Sequence, residues 1–150
     1  RQLQTVVMRL PPLSEEAQAA AGLLARKRRA LVGELARAGV PILAGSDAPT
    51  PGTFPGVSLL EELDELVAAG LSPAEAIRAA TVEPARYLAA TDSLGSIGPG
   101  KVADLVLLEA NPLESLRNLR RVVTVWVGGR PLDAEARRRI LTAAEAAARR

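Results

Sequence analysis

Residues 39–50 read GVPILAGSDAPT, and this segment indicates the fold class. The apolar run at 40–44 is too short for an amphipathic helix, and the flanking Gly and Pro residues favour a strand buried on both faces. Pro41 fits only near the first residue of such a strand, because proline donates no hydrogen bond to a neighbouring strand. Asp47 would then follow the carboxyl end of the strand, where α/β proteins bind ligands. The segment therefore predicts an α/β fold with Asp47 at a candidate site.

The local sequence leaves two interpretations of Asp47 open. Aspartate before a proline-rich loop is commonly a turn residue that bonds its own backbone. A carboxylate at the end of a buried strand can instead take part in chemistry. The loop that follows, residues 48–56, holds three prolines, two glycines and one aromatic residue, Phe54. This loop is either a wall of a substrate pocket, with Phe54 as its apolar contact, or a surface connection with one tucked aromatic ring.

The composition excludes several classes of function. A chain of 150 residues with a formal charge of +2 is too balanced to imply nucleic-acid binding. Its aromatic residues are too few for a base-stacking platform. No apolar run approaches the roughly 20 residues of a membrane span. The chain has no Cys, which excludes disulfides, and no His, although a catalytic zinc normally takes three protein ligands that include imidazoles.

The periodicity of residues 14–38 predicts one long helix. Ser14 is its expected cap, leucines recur at helical spacing, and Gly39 is expected to end it. The cluster RKRR at 26–29 is interpreted as a solvated helix face rather than an anion site. Upstream, residues 3–10 could form a strand or the end of a loop.

Two capping boxes are predicted further along. Ser58 with Glu61 would open a helix that Gly70 ends, and Ser72 with Glu75 would open the next. In each box the serine accepts from a backbone N–H three residues on, and the glutamate accepts from the serine's own N–H. A short helix over residues 81–88 would follow.

The C-terminal third has strand patterns. Residues 102–108 and 121–127 are predicted strands, and Gly128-Gly129 predicts a hairpin turn into residues 130–132. Asp104 is expected to accept from backbone donors at the start of the first strand. Asp133 is expected to cap a last helix, which would carry two apolar residues, Ile140 and Leu141, inward.

Two motifs carry a family resemblance. ILAGSDA at 42–48 and GSIGPGKVADLVLL at 95–108 occur in the order found in the metal-dependent amidohydrolase superfamily. The likeness is closest to the branch of imidazolonepropionases and metal-dependent prolidases. The resemblance implies the C-terminal part of a TIM-type (β/α)8 barrel plus part of a small β-sandwich. The expected domains are the end of the barrel with the post-barrel helices at 1–91, a sandwich segment at 92–133 and a C-terminal helix at 134–150.

The same resemblance implies a chemistry. Asp47 would bind a catalytic divalent metal, commonly zinc, and exchange a proton with the hydrolytic water, so that the protein hydrolyses carbon–nitrogen bonds of amides, cyclic amides or dipeptides. The histidine ligands are expected upstream, because a whole barrel takes about 250 residues. We therefore expect this chain alone to be inactive and to bind no metal tightly. One departure is Leu60, where many relatives have His.

A different class of function is also open, namely a truncated, non-catalytic structural or assembly module of the same fold. The expected partner of the enzyme is a small amide or peptide, without nucleic acid or membrane, and a homo-oligomer is allowed. The cytoplasm is the expected location.

Overall fold

The protein is described by a computed structural model that covers residues 14–50 and 52–147. The segment predicted at 3–10 lies outside these residues. The chain divides into two compact units, residues 1–80 and 81–150. Its elements are, in order, α1 (Glu15–Arg37), α2 (Ser58–Ala68), α3 (Pro73–Ala79), α4 (Val82–Tyr87), β1 (Leu105–Leu108), a 3₁₀ helix (Leu116–Arg120), β2 (Val122–Val127), β3 (Arg130–Leu132) and α5 (Ala134–Ala147). Helices and a small sheet make this an α/β chain, as predicted, whereas the domain boundaries expected at 91 and 133 stay predictions.

The first unit has its core between α2 and α3. Its buried apolar side chains lie on these helices and the turn joining them: Leu63, Leu66, Leu71, Ala76 and Ala79. The capping box of α3 is confirmed, because Glu75 N–H donates to Ser72 Oγ (3.3 Å) and Ser72 N–H donates to Glu75 Oε2 (2.7 Å). The Ser72 hydroxyl also donates to Glu75 Oε2 (2.7 Å), and this bond, followed by the one from the Ser72 N–H, lowers the pKa of Glu75. The start of α3 is thus fixed by local sequence.

Helix α1 confirms the prediction for residues 14–38 and packs beside α2. Ser14 Oγ accepts from Ala17 N–H (3.2 Å), and Arg29 pairs with Glu65 of α2 (2.6 Å). Gly33 is buried at this contact, where any Cβ would overlap the carbonyl oxygen of Ala69. The absence of a side chain therefore allows the two helices to approach closely.

The strand predicted at 40–44 is wrong for the described chain. These residues belong to no strand, although their burial alternates: Ile42 and Ala44 are half-buried, whereas Val40 and Leu43 are 44% and 42% exposed. One backbone bond, from Ala44 N–H to the Ala79 carbonyl (2.9 Å), fixes the segment to the end of α3. A strand needs a second extended segment to pair with, and the described part of this unit offers none.

The capping box predicted at Ser58 is also wrong. Val57, not Ser58, is the cap of α2, and no side chain bonds the first turn. Ser58 is the first helical residue and is buried, and its Oγ accepts from Phe54 N–H (2.9 Å). The hydroxyl is thus used by the preceding loop, so it does not cap the helix.

The second unit contains an antiparallel sheet in the order β1-β2-β3. The hairpin prediction is confirmed, since Gly128 and Gly129 (φ 54° and 77°) join β2 to β3. The first strand is shorter than predicted and begins at Leu105. Asp104 Oδ1 accepts from a backbone donor just before β1, as predicted, and this donor is the N–H of Gly128 in the hairpin after β2 (2.6 Å).

Helix α5 begins where predicted but exposes its apolar residues. Asp133 Oδ1 accepts from Ala136 N–H (2.8 Å), which lowers the pKa of Asp133 and confirms the cap. Ile140 and Leu141 are 54% and 63% exposed, so the prediction that they point inward is wrong. The helix contacts the sheet through Arg137, whose guanidinium donates to the carbonyls of Val122 and Val123. None of the helices in residues 14–50 and 52–147 combines the length and apolar character needed to cross a membrane.

Candidate active site

Asp47 directly follows residues 40–46, which form neither helix nor strand. Its backbone has a positive φ of 49°, a left-handed conformation that Asp adopts more readily than most residues but that still costs free energy. Its side chain is exposed, and it forms no hydrogen bond or ion pair with any described residue. The interpretation of Asp47 as a turn residue required the carboxylate to bond nearby backbone. The backbone does turn here, but the carboxylate stays available to a ligand.

The loop after Asp47 is organised by threonine hydroxyls. Thr50 N–H donates to the Asp47 carbonyl (3.1 Å) and to Thr53 Oγ1 (3.0 Å). Thr53 in return donates from its N–H and its hydroxyl to the Thr50 carbonyl, both at 2.9 Å. These bonds therefore hold Thr50 and Thr53 together directly beside Asp47.

Phe54 follows in the same loop with both of its backbone polar groups bonded to the start of α2. Its N–H donates to Ser58 Oγ, and its carbonyl accepts from the N–H groups of Val57 (3.2 Å) and Ser58 (3.0 Å). The ring is 38% exposed. The predicted substrate contact thus has a fixed backbone and a partly exposed aromatic face.

The sequence interpretation missed Ser58 and the threonine pair. The available signal was the density of Ser and Thr in a loop rich in Pro and Gly, where hydroxyls commonly bond nearby backbone. The capping-box pattern concealed the role of Ser58, since Glu61 stands at the required spacing.

A metal site needs several ligand side chains close together. Within the described part of the chain, no three His, Cys, Asp or Glu side chains lie together as a metal site. A catalytic zinc takes three protein ligands. Asp47 therefore fits one ligand position, and the described residues do not make a complete site.

The described residues form an α/β fold with one candidate metal ligand, the carboxylate of Asp47. Residues 4–132 match the sequence profile of the amidohydrolase family. The chain belongs to this family, and its relatives place it near the imidazolonepropionases and prolidases, as the sequence motifs predicted.

Two curated relatives illustrate the match. Imidazolonepropionase of Erwinia tasmaniensis is 35% identical over 109 residues, which cover 71% of this chain and 25% of the relative. Ochratoxinase of Aspergillus niger is 36% identical over 98 residues, 63% of this chain and 20% of the relative. The chain thus spans a quarter or less of these relatives.

Two solved structures share the fold of this chain. The crystal structure of the A. niger ochratoxinase aligns with a TM-score of 0.68 and 31% identity, covering 81% of this chain and 28% of that one. A Xaa-Pro dipeptidase with methionine bound in its active site aligns with a TM-score of 0.66 and 30% identity, covering 81% of this chain and 29% of that one. The similarity therefore extends over most of this chain.

Proposed function

We propose that this chain acts as the C-terminal part of a metal-dependent hydrolase of carbon–nitrogen bonds, with Asp47 as its metal-binding and proton-transferring carboxylate. The observation that carries the proposal is the conformation of Asp47. Its backbone has a left-handed φ, its side chain is exposed, and its carboxylate has no partner among the described residues. A strained backbone that presents a free carboxylate is a common feature of functional sites.

The surroundings of Asp47 support a larger protein. Val40 and Leu43 lie on the exposed side of the segment that leads to it, although buried apolar side chains contribute about 1.5–3 kcal/mol each. A neighbouring barrel strand would cover this side and would also bring the remaining metal ligands. In the proposed protein, residues 40–44 therefore form the last strand of a TIM-type barrel, and the sheet of the second unit forms part of a β-sandwich.

In the proposed reaction, water adds to the scissile carbonyl and the carbon–nitrogen bond breaks. A divalent ion such as zinc would lower the pKa of the water and polarise the carbonyl. Asp47 accepts the proton that the water loses and donates it to the departing nitrogen, so an amide and water become an acid and an amine. A carboxylate can serve in this role because the metal would supply most of the activation of the water.

The substrate class is a small amide, a cyclic amide or a dipeptide. The related Xaa-Pro dipeptidase structure holds methionine, which supports an amino-acid-derived substrate. Phe54, in the loop beside Asp47, would contact its apolar part.

The test compares Asp47→Asn with Asp92→Asn in the full-length protein that contains this chain. Asp92 is also exposed and its side chain forms no hydrogen bond or ion pair with the described residues, so it is a matched control. Asp47→Asn should lower turnover by about 10²–10⁴-fold, the contribution of a positioned acid or base, with little change in thermal midpoint. Asp92→Asn should leave turnover unchanged. Unimpaired hydrolysis by Asp47→Asn would remove this residue from the mechanism and favour the structural-module alternative.

A second measurement addresses the metal. The 150-residue chain alone should lose zinc on dialysis, because Asp47 is a single ligand, whereas the full-length protein should retain it. Near-stoichiometric zinc in the dialysed 150-residue chain would contradict the proposed ligand set.

A further inference from the structure

Ser58 is the only buried polar side chain among the residues that the structure describes, with 6% of its surface exposed. A buried hydroxyl is unfavourable unless it is hydrogen-bonded. Here the Oγ accepts from Phe54 N–H at 2.9 Å. The buried position of Ser58 is therefore connected to one particular loop residue.

Phe54 is held from three directions. Beside the bond to Ser58 Oγ, its carbonyl accepts from Val57 and Ser58 N–H, and Gly56 turns the chain with a φ of 82°. These bonds close a tight loop between Phe54 and the first residue of α2. The backbone of Phe54 is fixed although more than a third of its side chain is exposed.

An aromatic side chain that is exposed but backbone-anchored suits recognition. Exposed apolar surface is unfavourable in water, and a residue whose backbone is fixed before binding loses less entropy when a ligand arrives. The threonine bonds connect the same loop to the Asp47 carbonyl. The hydrogen-bonded pair Thr50 and Thr53 thus lies between the anchored backbone of Phe54 and the backbone carbonyl of Asp47.

We propose that Ser58 is a positioning residue that presents Phe54 to an apolar side group of the substrate cleaved at Asp47. This inference rests on the proposed function and deepens it, since it assigns the substrate an apolar group. Ser58 acts through the backbone of Phe54 and does not touch the substrate.

The anchor can be tested without any turnover, because Phe54 is the only phenylalanine in the 150 residues. Incorporation of fluorophenylalanine therefore gives one ¹⁹F resonance that reports on this ring. In Ser58→Ala, the resonance should move toward the position of free fluorophenylalanine and become narrower. Ser58→Cys keeps nearly the same volume but offers a weak acceptor, so it should shift the resonance in the same direction.

Ser72→Ala is the matched control, because Ser72 Oγ also accepts from a backbone N–H at a helix start in the same unit. It should leave the ¹⁹F resonance in place. An unchanged resonance in both Ser58 variants would refute the role of Ser58 in holding Phe54. An equal shift in Ser72→Ala would also refute it, because the shift would then reflect a general loss of structure.

The substrate group is tested in the full-length enzyme with two dipeptides that differ only in a leucine or glycine side chain. Ser58→Ala should raise KM for the leucine dipeptide about fivefold, which corresponds to one neutral hydrogen bond of about 1 kcal/mol. The value of kcat, and KM for the glycine dipeptide, should change less than about twofold. Equal effects on both dipeptides, or hydrolysis of neither, would overturn the assigned substrate group. Failure of the proposed function is recognised separately, by unimpaired hydrolysis in Asp47→Asn.

Discussion

Replacement of Gly33 by alanine tests the packing of α1 on α2. An alanine Cβ would overlap the carbonyl oxygen of Ala69 and would lie 3.3 Å from its carbonyl carbon. This end of α2 cannot shift freely, since Ala69 N–H donates to the Glu65 carbonyl and Leu71 N–H to the Leu66 carbonyl. The helices must therefore separate, or the end of α2 must unwind.

The magnitude follows from two opposing terms. Overpacking of a well-packed contact costs about 1–3 kcal/mol. Alanine in place of a helical glycine recovers about 1 kcal/mol. We expect Gly33→Ala to lower the free energy of unfolding by about 1–2 kcal/mol, since the clash is with backbone and lies at the upper end of the first range.

Gly22 supplies the matched control on the same helix. A Cβ there would meet only Arg26 Nη1, at an ordinary 3.6 Å. Gly22→Ala should raise the free energy of unfolding by about 0.5–1 kcal/mol through helix propensity alone. Urea unfolding followed by circular dichroism measures both variants. If Gly33→Ala stabilises the chain as much as Gly22→Ala, the close contact between α1 and Ala69 does not exist.

Further predictions concern turns and caps. Gly95→Ala should destabilise the second unit more than Gly100→Ala. Both glycines have a positive φ, but only at position 95 would the new Cβ lie 2.6 Å from the Cβ of Ala85. The urea midpoints of the two variants measure the difference, and equal losses of stability would refute the clash. Hydrogen bonds lower the pKa values of Glu75 and Asp133 in the folded protein. The ionised carboxylates therefore stabilise the fold at any pH above the pKa values of the unfolded chain, and this stabilisation is lost as the pH falls below about 4. Glu75→Gln and Asp133→Asn should each flatten the acid limb of the stability–pH curve, and an unchanged limb would argue against these caps.

Features set by a few neighbouring residues could be predicted from the sequence. The helix at 14–38 and the Ser72 box depend on contacts within four residues along the chain, and the Gly128-Gly129 hairpin pairs residues at most seven apart. Gly33 shows the limit of such reasoning. Nothing near it in sequence explains a glycine inside a helix, since its reason is the approach of Ala69, 36 residues away.

The predicted capping role of Ser58 was wrong for a related reason. The pattern for a capping box was present, but two backbone N–H donors can compete for the same hydroxyl oxygen, and here Phe54 N–H occupies it in the buried position of Ser58. A serine in the first turn of a helix can serve either the helix or the segment before it. The local sequence does not distinguish these cases, because the choice depends on how the preceding loop is packed.

The apolar side chains of the segment 40–46 indicate a packing contact that the described chain does not make. Its residues are apolar on both faces, whereas only the side with Ile42 and Ala44 is covered and Leu43 remains 42% exposed. If the segment served only this chain, a polar residue at Leu43 would cost nothing and would reduce exposed apolar surface. A leucine there is useful if another element packs on it, as the proposed barrel would. The same element would then also face Asp47, which follows the segment on its exposed side.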